Sequence, residues 1–154
     1  MRIAIGVDWV GIEHKEALVE LLDQLGHEVL DMGGFSQDMN DYPDFAEKVG
    51  KAVVEGKADR GVLLCGTGIG MSIAANKIPG IRAALCHDAF TTRLSRRHND
   101  ANVFVLGAWV TGIKHAKELL SLWLEEEYDG GRHIPRLEKI HHLDFGLNKE
   151  HKDE

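Results

Sequence analysis

The chain has 154 residues and a formal net charge of −7, and 44% of its residues are hydrophobic. This length suits one globular domain with a sizeable core, and two cysteines are too few for a secreted disulfide framework. The negative charge argues against nucleic acid or a membrane as the main partner, although a small anionic ligand needs only a few local cations. The sequence shows no signal peptide or spanning run, so we expect a cytoplasmic protein.

Short apolar runs alternate with helical patterns along the chain. The runs predict strands over Arg2–Val7, Glu28–Met32, Gly61–Cys65, Arg82–Cys86 and Asn102–Leu106. Helical spacing predicts helices over Ile12–Leu25, Pro43–Val54, Ala89–Arg97, Ile113–Glu127 and Pro135–His142, with a further helix from Met71. This alternation is typical of βαβ units. It predicts an α/β fold, a Rossmann-like (flavodoxin-like) three-layer, doubly wound, five-stranded parallel sheet with a C-terminal helix.

The domain prediction follows from the same pattern. We expect residues 1–144 to form a single globular domain and residues 145–154 to form a disordered tail, because the run NKEHKDE at 148–154 has no apolar residue. Ligands of doubly wound sheets bind outside the carboxyl ends of the strands. That rule selects the residues after the first, third, fourth and fifth strands, which are Asp8 and Trp9, 65–70, His87 and Asp88, and 107–109.

The segment after the third strand, CGTGIG at 65–70, is the most informative one. Its glycines let backbone N–H groups turn towards a ligand, and a helix N-terminus adds partial positive charge, which together suit a phosphate or an oxyanion. The same environment favours the thiolate of Cys65 as a base or nucleophile. A tight turn with a buried structural cysteine is the alternative. Neither dinucleotide nor nucleoside triphosphate motifs are present, which argues against a nucleotide-binding regulator.

The run LCGTGIGMSIAANK at 64–77 closely resembles a motif of the type B ribose-5-phosphate isomerases, a family that includes the galactose-6-phosphate isomerase subunits. Further segments match the family in order, namely GVD at 6–8, DYP at 41–43, GIRA at 80–83, SRRHNDANV at 95–103 and YDGGRH at 128–133. The resemblance covers residues 2 to about 143. It implies an enzyme that interconverts aldose and ketose phosphates through an enediol, without a metal or cofactor.

The resemblance also implies roles for individual residues. Cys65 resembles the base that moves the proton between C1 and C2, and His98 resembles the group that opens the sugar ring. Asp8 and Asn99 resemble residues that contact sugar hydroxyls. We count Asp8 among the catalytic residues as well. The anion hole corresponds to Thr67 and the amides of Gly66, Gly68, Ile69 and Gly70. The phosphate ligands correspond to Arg132 and Arg136. Family members form homodimers or homotetramers whose sites are shared between subunits.

Two tryptophans depart from the family pattern. Trp9 stands where the family has His after Asp, and Trp109 stands where it has Arg in Gly-Ser-Arg, so one permanent cation is lost. Because indole faces stack on sugars, one hypothesis is a preference for another sugar phosphate or an unphosphorylated sugar. The alternatives are an ordinary ribose-5-phosphate isomerase that tolerates both changes and an inactive sugar-phosphate-binding subunit. The retained Cys65, Thr67 and His98 favour activity.

The cysteines and histidines give two further expectations. If the third and fourth strands are neighbours, as in the flavodoxin-like order, Cys65 and Cys86 end about 5 Å apart, which is close enough for a disulfide to form on oxidation. Two reduced thiols are the alternative in the cytosol. The histidines near the C-terminus lack a metal-ligand pattern, so no metal site is predicted, and only His133 lies beside the arginines assigned to phosphate.

Overall fold

The computed structural model describes residues 1–34 and 41–146. Its five strands are β1 (Arg2–Val7), β2 (Glu28–Asp31), β3 (Arg60–Cys65), β4 (Ala83–Leu85) and β5 (Val103–Gly107). Its six helices are α1 (Ile12–Gln24), α2 (Tyr42–Val54), α3 (Ile69–Ala75), α4 (Ala89–Arg97), α5 (Ile113–Glu125) and α6 (Ile134–Gly146), with 3-10 turns at Trp9–Gly11 and Gly131–His133. All strand pairs are parallel, which confirms the predicted fold class.

Both faces of the sheet are covered, because successive strand residues enter two separate apolar clusters. On β3, Val62 and Leu64 belong to the cluster that includes α1 and α5, whereas Leu63 and Cys65 belong to the cluster under α2 and α3. This period of two is expected for a sheet with a buried core on each face. The sheet therefore presents ligand-binding loops only at its two ends.

The strand order is β2-β1-β3-β5-β4, so β5 separates β3 from β4. The expected closeness of Cys65 and Cys86 is therefore wrong. Their strands are two spacings apart, about 10 Å, and the two thiols lie in clusters on opposite faces of the sheet. A disulfide needs Cα atoms within about 7 Å, and both cysteines are free.

The bounds of helices α3 and α6 differ from the predicted ones. Helix α3 begins at Ile69, inside the glycine-rich segment, because Gly68 at its N-cap adopts φ +80° and turns the chain into the helix. Helix α6 is longer than predicted and ends at Gly146, with Pro135 in its first turn. The remaining residues of the predicted tail, and the loop residues 35–40, lie outside the described residues. Within the described ranges, no helix has the length and apolar character needed to cross a membrane.

Candidate active site

The Cys65 thiol lies at the carboxyl end of β3, beneath the glycine-rich segment. The Gly68 N–H donates a hydrogen bond to Cys65 Sγ at 3.2 Å, and the cysteine is 5% exposed. This hydrogen bond holds the sulfur against the glycine-rich segment. Thr67 is exposed beside it, and its Oγ1 accepts the Ile69 N–H at 3.3 Å. The arrangement places a base candidate and a hydroxyl at one end of the sheet.

The segment around Gly68 has no room for a side chain. A Cβ at Gly68 would overlap Leu85 Cδ1 and would lie 3.0 Å from the Leu106 carbonyl carbon and 3.1 Å from the Gly107 nitrogen. The last two are backbone atoms of the neighbouring strand, so they cannot move aside. The positive φ of Gly68 is also unfavourable for any L-residue.

We expect Gly68→Ala to lower the free energy of unfolding by about 2–4 kcal/mol, the sum of left-handed strain and overpacking. Urea unfolding followed by far-UV circular dichroism measures this loss. Gly26→Ala is the matched control, because Gly26 has φ +76° with nothing within 4 Å of its ideal Cβ. It should lose only about 1–2 kcal/mol. Equal losses for the two variants would contradict the steric argument.

Two exposed indoles flank the Cys65 end of the sheet. Trp9 follows β1 and is 55% exposed, and Trp109 follows β5 and is 71% exposed. Since β1 and β5 pair with either side of β3, Cys65 ends between them. The Trp109 ring packs directly on the Gly66 Cα, because a Cβ there would lie 2.6 Å from its Cε3. The indole therefore forms one wall beside the Cys65 segment.

Asp8 completes this group at the end of β1. Its Oδ1 accepts the Val10 N–H at 3.0 Å, and its own N–H donates to the Leu64 carbonyl at 3.2 Å. The pKa of the Asp8 carboxyl is raised because the effect of burial is larger than that of the backbone hydrogen bonds from Val10 and Gly11, which lower it. At the far side of the segment, the Tyr42 ring packs on Gly70. We call the residues 8–9, 65–70 and 109 the thiol half-site.

The segments that form the thiol half-site and its surroundings carry no lysine or arginine. They are residues 8–14, 65–70, 86–92 and 107–112. The nearby carboxylate of Asp8 and the two indoles suit sugar hydroxyls and C–H groups rather than a phosphate. The cations predicted to hold the phosphate must therefore come from elsewhere.

Those cations lie beside a second group of side chains, at the amino end of the sheet. His98, at the end of α4, stacks on His133 with ring centroids 4.2 Å apart and planes 15° apart. Asp129 Oδ2 lies 4.0 Å from His98 Nε2, and its Oδ1 accepts a hydrogen bond from Arg97 Nε at 3.0 Å. We call His98, Asp129 and His133 the histidine cluster. Three exposed residues of the predicted site adjoin it in sequence, namely Asn99, Arg132 and Arg136.

The charges around the histidine cluster are unevenly distributed. The hydrogen bond from Arg97 lowers the pKa of Asp129, so this carboxylate stays ionised. Burial lowers the pKa of His133, and the positive charges of His98, Arg132 and Arg136 lower it further. His133 is thus a neutral imidazole at pH 7 against which His98 packs. We call this cluster, with Asn99, Arg132 and Arg136, the cationic half-site.

The structure divides the predicted site between opposite ends of one sheet. Cys65 pairs with Gly107 at the last residue of β5, whereas His98 precedes Val103, the first residue of that strand. Five residues of strand span about 17 Å, which exceeds the reach of a side chain. Within one chain, His98 and the two arginines therefore cannot act on a substrate bound at Cys65.

Two residues of the site, Asp129 and His87, have no assigned role in the sequence-based prediction. Asp129 lies within the YDGGRH segment, which is the one signal in the sequence that points to it. His87 accepts the Gly107 N–H at its Nε2, at 3.3 Å, and so holds the backbone on which Thr67 rests. Neither contact follows from hydrophobic pattern, because each joins segments that are distant in sequence.

Comparison with known proteins identifies similar chains over nearly the whole length. Residues 3–140 match the model of the family described as Ribose/Galactose Isomerase. Ribose-5-phosphate isomerase B of Escherichia coli is 47% identical over 139 residues, which cover 90% of this chain and 93% of that protein. The D-erythrulose-4-phosphate isomerase of Pectobacterium atrosepticum is 45% identical over 141 residues, with 91% and 93% covered. The solved structure of Clostridium thermocellum ribose-5-phosphate isomerase B superposes with a TM-score of 0.93 at 46% identity, covering 96% of this chain and 99% of that one.

Proposed function

Because this chain belongs to the ribose/galactose isomerase family and is a sugar-phosphate aldose–ketose isomerase, we propose that it converts ribose 5-phosphate to ribulose 5-phosphate. The observation that carries the proposal is the Cys65 thiol, which receives the Gly68 N–H at the centre of the thiol half-site. Its neighbours suit a sugar, and the cationic half-site suits a phosphate. The thiol must stay reduced, which fits a cytoplasmic enzyme.

In the proposed reaction, the Cys65 thiolate takes the proton from C2 of the open-chain aldose. The electron pair of that C–H bond moves towards O1 and generates an enediolate, which the amides of 66–70 and the Thr67 hydroxyl stabilise. The proton of the O2 hydroxyl then passes to O1, and protonation at C1 by the Cys65 thiol gives the ketose. Asp8 and Asn99 hold sugar hydroxyls. The thiol is both base and acid, so no net proton change occurs.

His98 has a separate role in the proposal, before the proton transfer. A cyclic sugar must open first, and an imidazole can take the proton of the O1 hydroxyl and return it to the ring oxygen as the bond between C1 and that oxygen breaks. Arg132 in the 3-10 turn and Arg136 in the first turn of α6 form charge-assisted hydrogen bonds to the phosphate. These groups all belong to the cationic half-site.

We further propose that a complete site forms between two chains. Each half-site is incomplete alone, and the two lie about 17 Å apart along the strands of one chain. A homodimer in which the thiol half-site of one chain faces the cationic half-site of the other supplies every group at once. By two-fold symmetry such a dimer has two identical sites. A homotetramer built from two such dimers retains the same sites.

A second candidate substrate class is favoured by the two indoles. Trp9 and Trp109 flank Cys65 and add apolar area where a cation would strengthen phosphate binding. A relative at 45% identity is a D-erythrulose-4-phosphate isomerase, so a sugar phosphate of another length is the specific alternative. An unphosphorylated sugar is a weaker one, since Arg132 and Arg136 remain.

A substrate panel decides between these candidates. We expect the highest kcat/KM for ribose 5-phosphate among a panel that also contains erythrose 4-phosphate, allose 6-phosphate and the free pentoses and hexoses. Trp109→Ala should lower kcat/KM for the preferred substrate about tenfold, the effect of one lost aromatic contact of about 1.4 kcal/mol. Leu143→Ala, at an exposed residue of α6, is the control and should change nothing. A higher kcat/KM for a four- or six-carbon phosphate would favour the second candidate.

A further inference from the structure

We propose that the histidine cluster binds a divalent transition metal ion, best fitted by Zn²⁺, and that the bound ion inhibits the enzyme. The three residues are separated in sequence and become a potential ligand set only through folding. One ligand atom from each of His98, Asp129 and His133 lies within 4.8 Å of the other two. Two imidazoles and one carboxylate are a common zinc donor set, leaving a fourth position for water.

The cluster already has the support that a metal site requires. His133 is buried and provides a fixed ring, whereas the side chains of His98 and Asp129 are about one third exposed and can adjust. Arg97 holds Asp129 through Oδ1, so Oδ2 on the side of His98 is the oxygen for the metal. Such an outer-shell hydrogen bond orients a ligating carboxylate. Tetrahedral coordination needs the three atoms to approach by roughly 1 Å, because ligand atoms about 2.1 Å from zinc lie about 3.4 Å apart. It also needs the partly exposed His98 ring to rotate out of its stack on His133, because the nitrogen lone pairs of parallel rings do not converge on one ion.

The donor set and its surroundings also select the ion. Imidazole nitrogen suits Zn²⁺, Cu²⁺ and Ni²⁺, whereas Mg²⁺ and Ca²⁺ prefer sets made of oxygen. The positive charges of Arg132 and Arg136 beside His133 weaken binding of any cation. We therefore infer a regulatory or inhibitory site of moderate affinity rather than a permanently loaded structural one.

Inhibition follows from which atoms the metal would occupy. Coordination uses the lone pair of a His98 ring nitrogen, which the proposed ring-opening step needs for proton transfer. The ion would also lie beside the arginines that receive the phosphate. This inhibitory half of the inference rests on the proposed function, whereas the binding half stands on the geometry alone.

Binding is tested without turnover by titrating the full chain with Zn²⁺ in a calorimeter and with Co²⁺ followed by visible absorption. We expect one ion per chain in the wild type and in Cys65→Ala, and at least tenfold weaker binding in His133→Ala and Asp129→Asn. His142→Ala is the matched control, because His142 is an exposed histidine of α6, and it should bind like the wild type. Loss of binding in Cys65→Ala, or unchanged binding in both cluster variants, would overturn the site.

The inhibitory half is tested by adding Zn²⁺ to the active wild-type enzyme. We expect at least a tenfold loss of kcat/KM at saturating metal and full recovery after chelation with EDTA. Undiminished activity with one ion bound to the cluster would overturn inhibition while leaving the site intact. An enzyme inactive on every sugar phosphate would instead refute the proposed function, and the binding titrations would still decide the metal site.

Discussion

Cys65→Ala is expected to lower kcat about a thousandfold while leaving the affinity for ribose 5-phosphate nearly unchanged. A positioned acid or base contributes 10²–10⁴-fold, and alanine has no group that can carry the proton between C2 and C1. Affinity is expected to be retained because the proposed phosphate ligands, Arg132 and Arg136, lie on the cationic half-site. Steady-state kinetics and ligand titration of the inactive variant measure the two quantities separately.

Cys86→Ala is the matched control for this variant. Cys86 is also a free, buried thiol, but it lies in the apolar cluster on the other face of the sheet. Burial raises the pKa of its thiol to about 11, so it is not a thiolate at neutral pH. We expect unchanged kcat in Cys86→Ala. Equal kcat in Cys65→Ala and the wild type would refute Cys65 as the proton carrier.

Mixing two inactive variants, Cys65→Ala and His98→Ala, is expected to restore activity. Cys65→Ala removes the base of the thiol half-site and His98→Ala impairs the cationic half-site, so in the proposed dimer each variant alone has two defective sites. A mixed dimer has one site with both defects and one intact site. Random reassociation of equal amounts makes half of the dimers mixed, so the activity should rise to about a quarter of the wild-type value.

The reciprocal mixture tests the same geometry. The double variant Cys65→Ala/His98→Ala, mixed with an equal amount of the wild type, gives mixed dimers in which neither site is intact. Only the wild-type dimers then work, and activity should fall to about a quarter of the all-wild-type value. A half of that value would instead indicate sites contained within single chains. Absence of recovery in the first mixture would also contradict shared sites.

The sequence predicts most of the fold because the fold depends on local patterns. The apolar runs at β1, β3 and β5 and the spacing within α1 and α5 identify the elements to within a few residues. The strand order, in contrast, does not follow from local patterns. Whether β4 or β5 pairs with β3 depends on how helices pack against the sheet, and the same apolar runs suit either order. The closeness of Cys65 and Cys86, which is conditional on neighbouring third and fourth strands, fails for that reason, and the two free thiols agree with the alternative.

The candidate site is likewise predictable where it depends on local sequence and not where it depends on contacts between distant segments. The CGTGIG segment predicts the Cys65 turn, since only glycine tolerates the backbone at Gly68 and the close approach of Leu106 and Gly107. In contrast, no local pattern shows that His98 lies at the opposite end of the sheet. The stacking of His98 on His133 and the placement of Asp129 arise from a chain that returns to the end of α4, where the Asp129 N–H donates to the Arg97 carbonyl.

The different burial of the three tryptophans gives the protein separate optical reporters. Trp123 is fully buried, with the guanidinium groups of Arg60 and Arg96 over its ring. Its fluorescence therefore follows the integrity of the core. Trp9 and Trp109 are exposed and lie on either side of Cys65, so a water-soluble quencher reaches them first and a bound sugar shields them. Unfolding and occupancy of the site thus change different parts of one emission spectrum, without any added label.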